Sequence, residues 1–239
     1  MKATKWKSYS LALIAGMSVL TACSSDDNND NGGNGNNGNG NEIENGTTLK
    51  GTITSDVTLT AGSTYKLSGE YIVEDGATLN IEAGVKIISI YDDIVDYILV
   101  KQGGKINAVG TSSAPIVMTS EKEEPGAWGG IHICGKAHTN AEGGKGSSEI
   151  GGATYGGNDD ADNSGTLKYV RVEYSGYAFD SEHEANGITF YGVGNGTTVE
   201  YCQAYKGSDD GFEFFGGSVN VSNLVSVSCS DDSFDWTEG

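Results

Sequence analysis

Arginine is almost missing from the 239 residues: Arg171 stands alone, and only 14 basic side chains face 33 acidic ones. A chain with a formal charge of −19 cannot neutralise a run of phosphates, which excludes general nucleic-acid binding. The same deficit argues against electrostatic docking on anionic lipid and against recognition of a polyanion by arginine forks. Histidine is scarce too, with His132, His138 and His183 at no zinc-ligand spacing. No Gly-x-Ser-x-Gly elbow and no phosphate-binding loop occurs. Long helical periodicity is absent, so helix bundles are excluded.

The first segment does carry positive charge. Lys2, Lys5 and Lys7 precede a mostly apolar run from Ser8 to Leu20, too short for a typical transmembrane helix. The run ends in Leu20-Thr21-Ala22-Cys23, which resembles the bacterial lipobox. That resemblance implies a signal peptide over 1–22, a diacylglyceryl thioether on Cys23 and a further acyl chain (palmitate-type), which together anchor stably. A plain signal peptide is the alternative. Loss of 1–22 removes three lysines and no acid, which takes the net charge from −19 to −22. The acidic stretch Asp26-Asp27-Asn28-Asn29-Asp30 after Cys23 resembles the surface-export signal of Bacteroidetes lipoproteins. Residues 23–46 are nearly all Asn, Gly, Asp, Ser and Glu, a composition expected to form a disordered tether.

From Thr47 onward short apolar runs alternate with Gly, Asp, Asn and Ser, and they repeat. Ser208-Asp209-Asp210-Gly211-Phe212-Glu213-Phe214 returns as Ser230-Asp231-Asp232-Ser233-Phe234-Asp235-Trp236, at an offset of 22. Ile188 precedes Phe212 by 24, and Gly130-Ile131-His132-Ile133 reads as an earlier copy. A second strand type runs Leu167–Val172, Val199–Ala204 and Val221–Ser226, the last two again 22 apart. Short strands, turn residues at each corner and a period near 22 predict a right-handed parallel β-helix over 47–239, one coil per repeat. Alternation points Ile188, Phe190, Phe212, Phe214, Phe234 and Trp236 inward. A β-sandwich is the competing fold, but it does not explain near-identical heptapeptides at one spacing. A long Gly-rich loop insertion is expected at 134–166. The chain stops three residues after Trp236 with no visible cap, which predicts that the β-helix is C-terminally incomplete or covered by another chain.

Several of these segments resemble a known group. Asp75-Gly76-Ala77-Thr78-Leu79, Ile81-Glu82-Ala83-Gly84, Pro125-Gly126-Ala127-Trp128-Gly129-Gly130-Ile131, Asn186-Gly187-Ile188-Thr189 and Gly211-Phe212-Glu213-Phe214-Phe215-Gly216-Gly217 are similar to outer-membrane or secreted β-helix proteins of Bacteroidetes. That group is related to a leptospiral surface lipoprotein and has a pectin-lyase-like fold. The resemblance implies an outer-membrane lipoprotein exposed at the cell surface, and no defined activity.

Three sets of residues could carry chemistry. His132, Thr189, Glu213 and Asp235 occupy one outward column on successive coils. Glu213 and Asp235 would then sit about 4.8 Å apart, near the spacing of about 5–5.5 Å in retaining glycosidases. At the preceding corner Asp209 stacks on Asp231 and Asp210 on Asp232, four carboxylates that suit Ca2+. Asp160, Asp162 and Ser164 match positions 1, 3 and 5 of a calcium loop, but position 12 is Arg171, which rejects an EF-hand. Each set also has a bland reading, a solvated polar face or Asx-turn chemistry. With Cys23 lipidated, Cys134, Cys202 and Cys229 remain, an odd number that cannot all pair. Cys202 aligns with Val170 and Leu224 and is expected in the core.

These features lead to a surface-anchored, non-enzymatic β-helix that binds a glycan or a cell-surface protein, with Ca2+ as its only candidate cofactor. The alternative is a glycan lyase or hydrolase that uses Ca2+ and the outward carboxylates Glu213 and Asp235, with His132 nearby.

Overall fold

The computed structural model describes residues 41–180 and 183–239. The leader, Cys23 and residues 23–40 of the expected tether lie outside the described residues. Within them the chain winds through seven coils, each made of strands on three faces. Face A is a seven-stranded parallel sheet in the order Asn41–Ile43, Val57–Leu59, Thr78–Ile81, Lys105–Val109, Gly165–Lys168, Thr198–Glu200 and Asn220–Ser222. Faces B and C share the two strands that turn a corner without breaking, Thr48–Ile53 and Thr64–Val73. The first half of Thr64–Val73 pairs with Lys86–Ser89 on face B, the second with Tyr97–Val100 on face C. Gly69 makes that corner at φ 71, a backbone angle side-chain-bearing residues resist.

Face B continues through Ile116–Ser120, Val170–Glu173, Gln203–Tyr205 and Val225–Val227. Face C continues through Ile131–Cys134, Ile188–Tyr191, Phe212–Phe215 and Phe234–Thr237. All of this pairing is parallel, which identifies a parallel β-helix and dismisses the sandwich. The expected registers are present: Leu167 pairs with Val199 and Val199 with Val221, while Ile188 pairs with Phe212 and Phe212 with Phe234.

Register turns the repeat into a core. Leu59, Ile81, Ala108, Leu167 and Val199 form one buried column inside face A. Val73, Val100, Ile133, Phe190 and Phe214 form another inside face C, with the Phe190 and Phe214 rings stacked at 5.0 Å. Cys202 is buried in the same core, as its alignment predicts.

Two features differ from expectation. Strand Asn41–Ile43, ahead of the expected start at Thr47, already belongs to the coil, because it pairs with Val57–Leu59. An edge strand needs only its backbone for that ladder, so its polar composition does not exclude it. The insertion is not structureless. Gly146–Ser147 pairs antiparallel with Thr154–Tyr155, and Glu142–Gly144 forms a 3-10 turn. Its Ile150, Ala153 and Tyr155 pack with Leu99, Cys134, Tyr191 and Phe215 on the outer surface of face C, a second apolar cluster outside the coil.

The interior columns make a quantitative expectation. Phe190→Ala removes a fully buried ring and should destabilise the protein by ~3–5 kcal/mol. Val109→Ala, on the exposed side of its strand, should cost about 0.5 kcal/mol or less. Denaturant midpoints of the two variants and the parent measure both.

Candidate functional site

The outward column of face C exists in the expected register, since His132 pairs with Thr189, Thr189 with Glu213 and Glu213 with Asp235. It is not a solvated face. His132 and Thr189 are completely buried, Glu213 is 9% exposed and Asp235 is half-buried. The insertion accounts for the difference, because it covers the coil over the first part of the column and leaves the last part at its rim.

His132 lies under that cover, one rung before Thr189 and two before Glu213. Its Nε2 donates to the Gly129 carbonyl at 2.7 Å, and its ring packs edge-on to Tyr97 and stacks on Tyr191. Burial pushes its pKa down to about 4, so it is a neutral core group. It does not join the carboxylates, and His132, expected as a catalytic candidate, is instead an enclosed, neutral imidazole out of a ligand's reach.

The carboxylates themselves converge. Between faces B and C the corner Ser208–Gly211 stacks on the loop before Ile188, with the Asp210 N–H donating to Asn186 Oδ1 at 3.2 Å. The next corner stacks in turn, with the Asp232 N–H donating to Asp210 Oδ1 at 2.8 Å. Oxygens of Asp209, Asp210 and Asp231 lie within 4.8 Å of one another, and so do those of Asp210, Glu213 and Asp235. Asp210 therefore fuses the expected corner set with the expected column into one cluster. Asp232 departs from expectation: it supplies a backbone N–H to Asp210, and its exposed carboxylate belongs to neither group.

Two members were not foreseen. Asn186 Nδ2 donates to Glu213 Oε2 at 2.5 Å and to Thr189 Oγ1 at 3.3 Å, which fixes the Glu213 carboxyl. Asn186 could have been found from the repeat, because Ile188 pairs with Phe212 and so Asn186 aligns with Asp210. Glu149 arrives from the insertion, and no periodic signal marks it.

Electrostatics of the cluster follow from burial and like charge. Desolvation pushes Glu213 up to about 8, aided by Glu149, Asp210 and Asp235. Desolvation also raises Asp209 to about 7, aided by Asp210 and Glu184, and Asp210 to about 6, the latter held back by the Asp232 N–H. Glu149 is raised by burial as well. Among the described residues no lysine or arginine forms an ion pair with any of these groups. The arrangement can take up protons or a divalent cation. Calcium, with six to eight oxygen ligands, fits this all-oxygen donor set.

The other candidates stay apart. Asp160 Oδ1 accepts from His138 Nδ1 at 2.7 Å, and these bonds lower its pKa. Asp162 Oδ2 accepts from the Lys136 N–H at 3.1 Å and from Ser164 Oγ at 3.4 Å. Asp160, Asp162 and Ser164 thus brace the base of the insertion through bonds to Lys136, to His138 and between Ser164 and Asp162, and neither aspartate belongs to the converging carboxylates. The three thiols are free, and burial pushes Cys134 and Cys202 up to about 12, so neither is a nucleophile.

A pH dependence follows. Carboxyls whose folded pKa is raised bind more protons folded than unfolded, so they stabilise the fold least where they must ionise. His132 is neutral in the fold throughout about pH 6.5 to 8.5 and half protonated unfolded at the lower limit, so its opposing contribution is small and fades as pH rises. In that window thermal stability, measured in a chelator, should fall as pH rises. Glu213→Gln should flatten the fall, and an unchanged slope in that variant would refute the assignment.

Residues 51–239 match the family model described as a pectate-lyase-like β-helix domain. No curated protein and no solved structure matches the chain. The model spans most of the sequence and agrees with the seven parallel coils, and so the chain belongs to the pectate-lyase-like β-helix family.

Proposed function

We propose that the protein is a lipid-anchored β-helix displayed at the surface of an outer membrane, and that it binds a glycan through the carboxylate cluster of face C without cleaving it. Lys2 to Cys23 supports the anchor, and the acidic residues after Cys23 support outward display. The observation that carries the binding reading is the cluster itself. Carboxylate oxygens within 4.8 Å of one another repel by about 0.9 kcal/mol per pair in water and by about 3.5 kcal/mol at an effective dielectric of 20. A Ca2+ ion held by Asp209, Asp210 and Asp231, or by Asp210, Glu213 and Asp235, converts that repulsion into attraction. Coordination positions that the protein does not fill remain for hydroxyl oxygens of a bound sugar. The net charge disfavours a polyanionic chain, so a neutral glycan is the ligand class.

One observation favours a second reading, a glycan hydrolase. Glu213, raised to about 8, stays protonated at neutral pH as a general acid must, and Asp235 lies on the adjacent coil. Against it, His132 is walled off, and among the described residues no lysine or arginine forms an ion pair with the cluster.

Calcium should raise the melting temperature at pH 8 by several degrees, and Asp210→Asn should abolish the rise; no shift in the parent removes the cation. On a panel of neutral glycans, calcium-dependent binding with no turnover is expected. Turnover lost in Glu213→Gln would replace the binding reading with the hydrolase.

A further inference from the structure

The corner between faces A and B holds a groove of about 420 Å³ that the carboxylate cluster does not touch. It runs across four coils, from Thr111 and Pro115 past Tyr169 and Tyr201 to Asn223. Tyr169, Tyr201 and Asn223 are equivalent positions of consecutive coils, and all three have left-handed backbone, at φ 51, 55 and 56. Asparagine adopts that conformation readily; a bulky aromatic does so only under constraint. Two coils nevertheless place tyrosine there. Their rings lie 4.7 Å apart and 8° from parallel, so they stack face to face, and Tyr201, 44% exposed, is the ring of the stack open to the groove.

The wall beside that ring is polar and preset. Arg171 Nε donates to Gln203 Oε1 at 2.8 Å, and Arg171 Nη2 lies 3.2 Å from Glu173 Oε1. The only arginine of the chain is thereby neutralised and held in place, and the Gln203 amide is oriented with it. No carboxylate lines the groove, in a chain that carries 33 acids.

We propose that this groove binds a neutral oligosaccharide chain, with a pyranose ring packed on the exposed Tyr201 ring, which Tyr169 backs from the preceding coil, and its hydroxyls bonded by Arg171 and Gln203. A pyranose presents an apolar C–H face and a rim of hydroxyls, which matches an aromatic floor beside planar donors. A wholly apolar ligand would bury those donors unpaired. A polyanion is repelled by the net negative field of the chain. The first and last of the four coils are about 14 Å apart, a span for several sugar units and not for one. The site needs no cation, so it stands independently of the face C reading.

Native affinity electrophoresis tests it. The full chain is run in EGTA through gels containing mixed-linkage β-glucan, xyloglucan, galactomannan or α-mannan. At least one polysaccharide should retard the parent, and equally Asp210→Asn. Tyr201→Asn should bind about tenfold more weakly, as expected for loss of an aromatic anchor. Asparagine suits the local backbone, as Asn223 does one coil on, so this variant should melt no lower than the parent. Gln203→Ala, which leaves the backbone corner intact, should also weaken binding. Absence of retardation by all four polymers in EGTA, or undiminished binding by both variants, overturns the proposal. Binding seen only with calcium and lost in Asp210→Asn overturns it while leaving the face C reading in place.

Discussion

Parallel pairing in fixed register sets each residue over its counterpart one coil earlier, and the ladder hydrogen bonds hold the coils about 4.8 Å apart. Side chains cannot adjust that spacing; they can only suit it or suffer from it. Aliphatic side chains suit it, as the column Leu59, Ile81, Ala108, Leu167, Val199 illustrates. Aromatic rings suit it as well, since a stacking distance near 5 Å is already supplied: Phe212 on Phe234 at 5.5 Å and Tyr191 on Phe215 at 4.6 Å. Carboxylates suffer. Glu213 over Asp235 is held at a distance that free side chains would avoid, and the strain is relieved by protonation or by a cation, not by movement of the coil.

That same constraint explains what the sequence makes legible. Inner residues and corners both repeat, so the copies at Ser208–Phe214 and Ser230–Trp236 reveal period and register together, whereas Phe234 and Trp236, expected inside, are 40% and 72% exposed because no described coil covers them. The column His132, Thr189, Glu213, Asp235 could be written down before any coordinates. Its burial could not. The residues that cover it, Ile150, Ala153 and Tyr155, sit in a Gly-rich stretch with no period, and nothing local says which face they fold over. Glu149 enters the cluster by the same route and was invisible for the same reason. The strand Asn41–Ile43 is obscured in the sequence because composition reports side chains, whereas an edge strand is held by backbone.

Covering the outer side of face C changes the chemistry of the column by degrees. Under the insertion a charge of either sign is disfavoured, so His132 loses its proton affinity and Glu213 gains it. Toward the last coils the cover ends, Asp235 is half-buried and Asp231 exposed, and like charges begin to share water. The cluster sits at this boundary, dry enough for its acids to be perturbed and open enough for a ligand to reach them. A site deeper under the insertion would hold only neutral groups, as the stretch around His132 does.

Both candidate sites lie on the outside of the coil, and both contain choices that cost stability locally. Left-handed tyrosines cost roughly 1–2 kcal/mol each, and crowded carboxylates cost a comparable amount per pair. A coil that buries several large side chains, at about 1.5–3 kcal/mol apiece, absorbs such costs without losing its register. Because the inner columns fix the fold, the outer position of any one coil can change without disturbing its neighbours. Tyr201 above Tyr169 but below Asn223, and Glu213 above Thr189, show that the outer residues do change from coil to coil while Val199, Leu167, Ile188 and Phe212 keep the interior apolar. Outer departures from the repeat that are locally unfavourable are therefore where selection for binding, not for folding, is the better explanation.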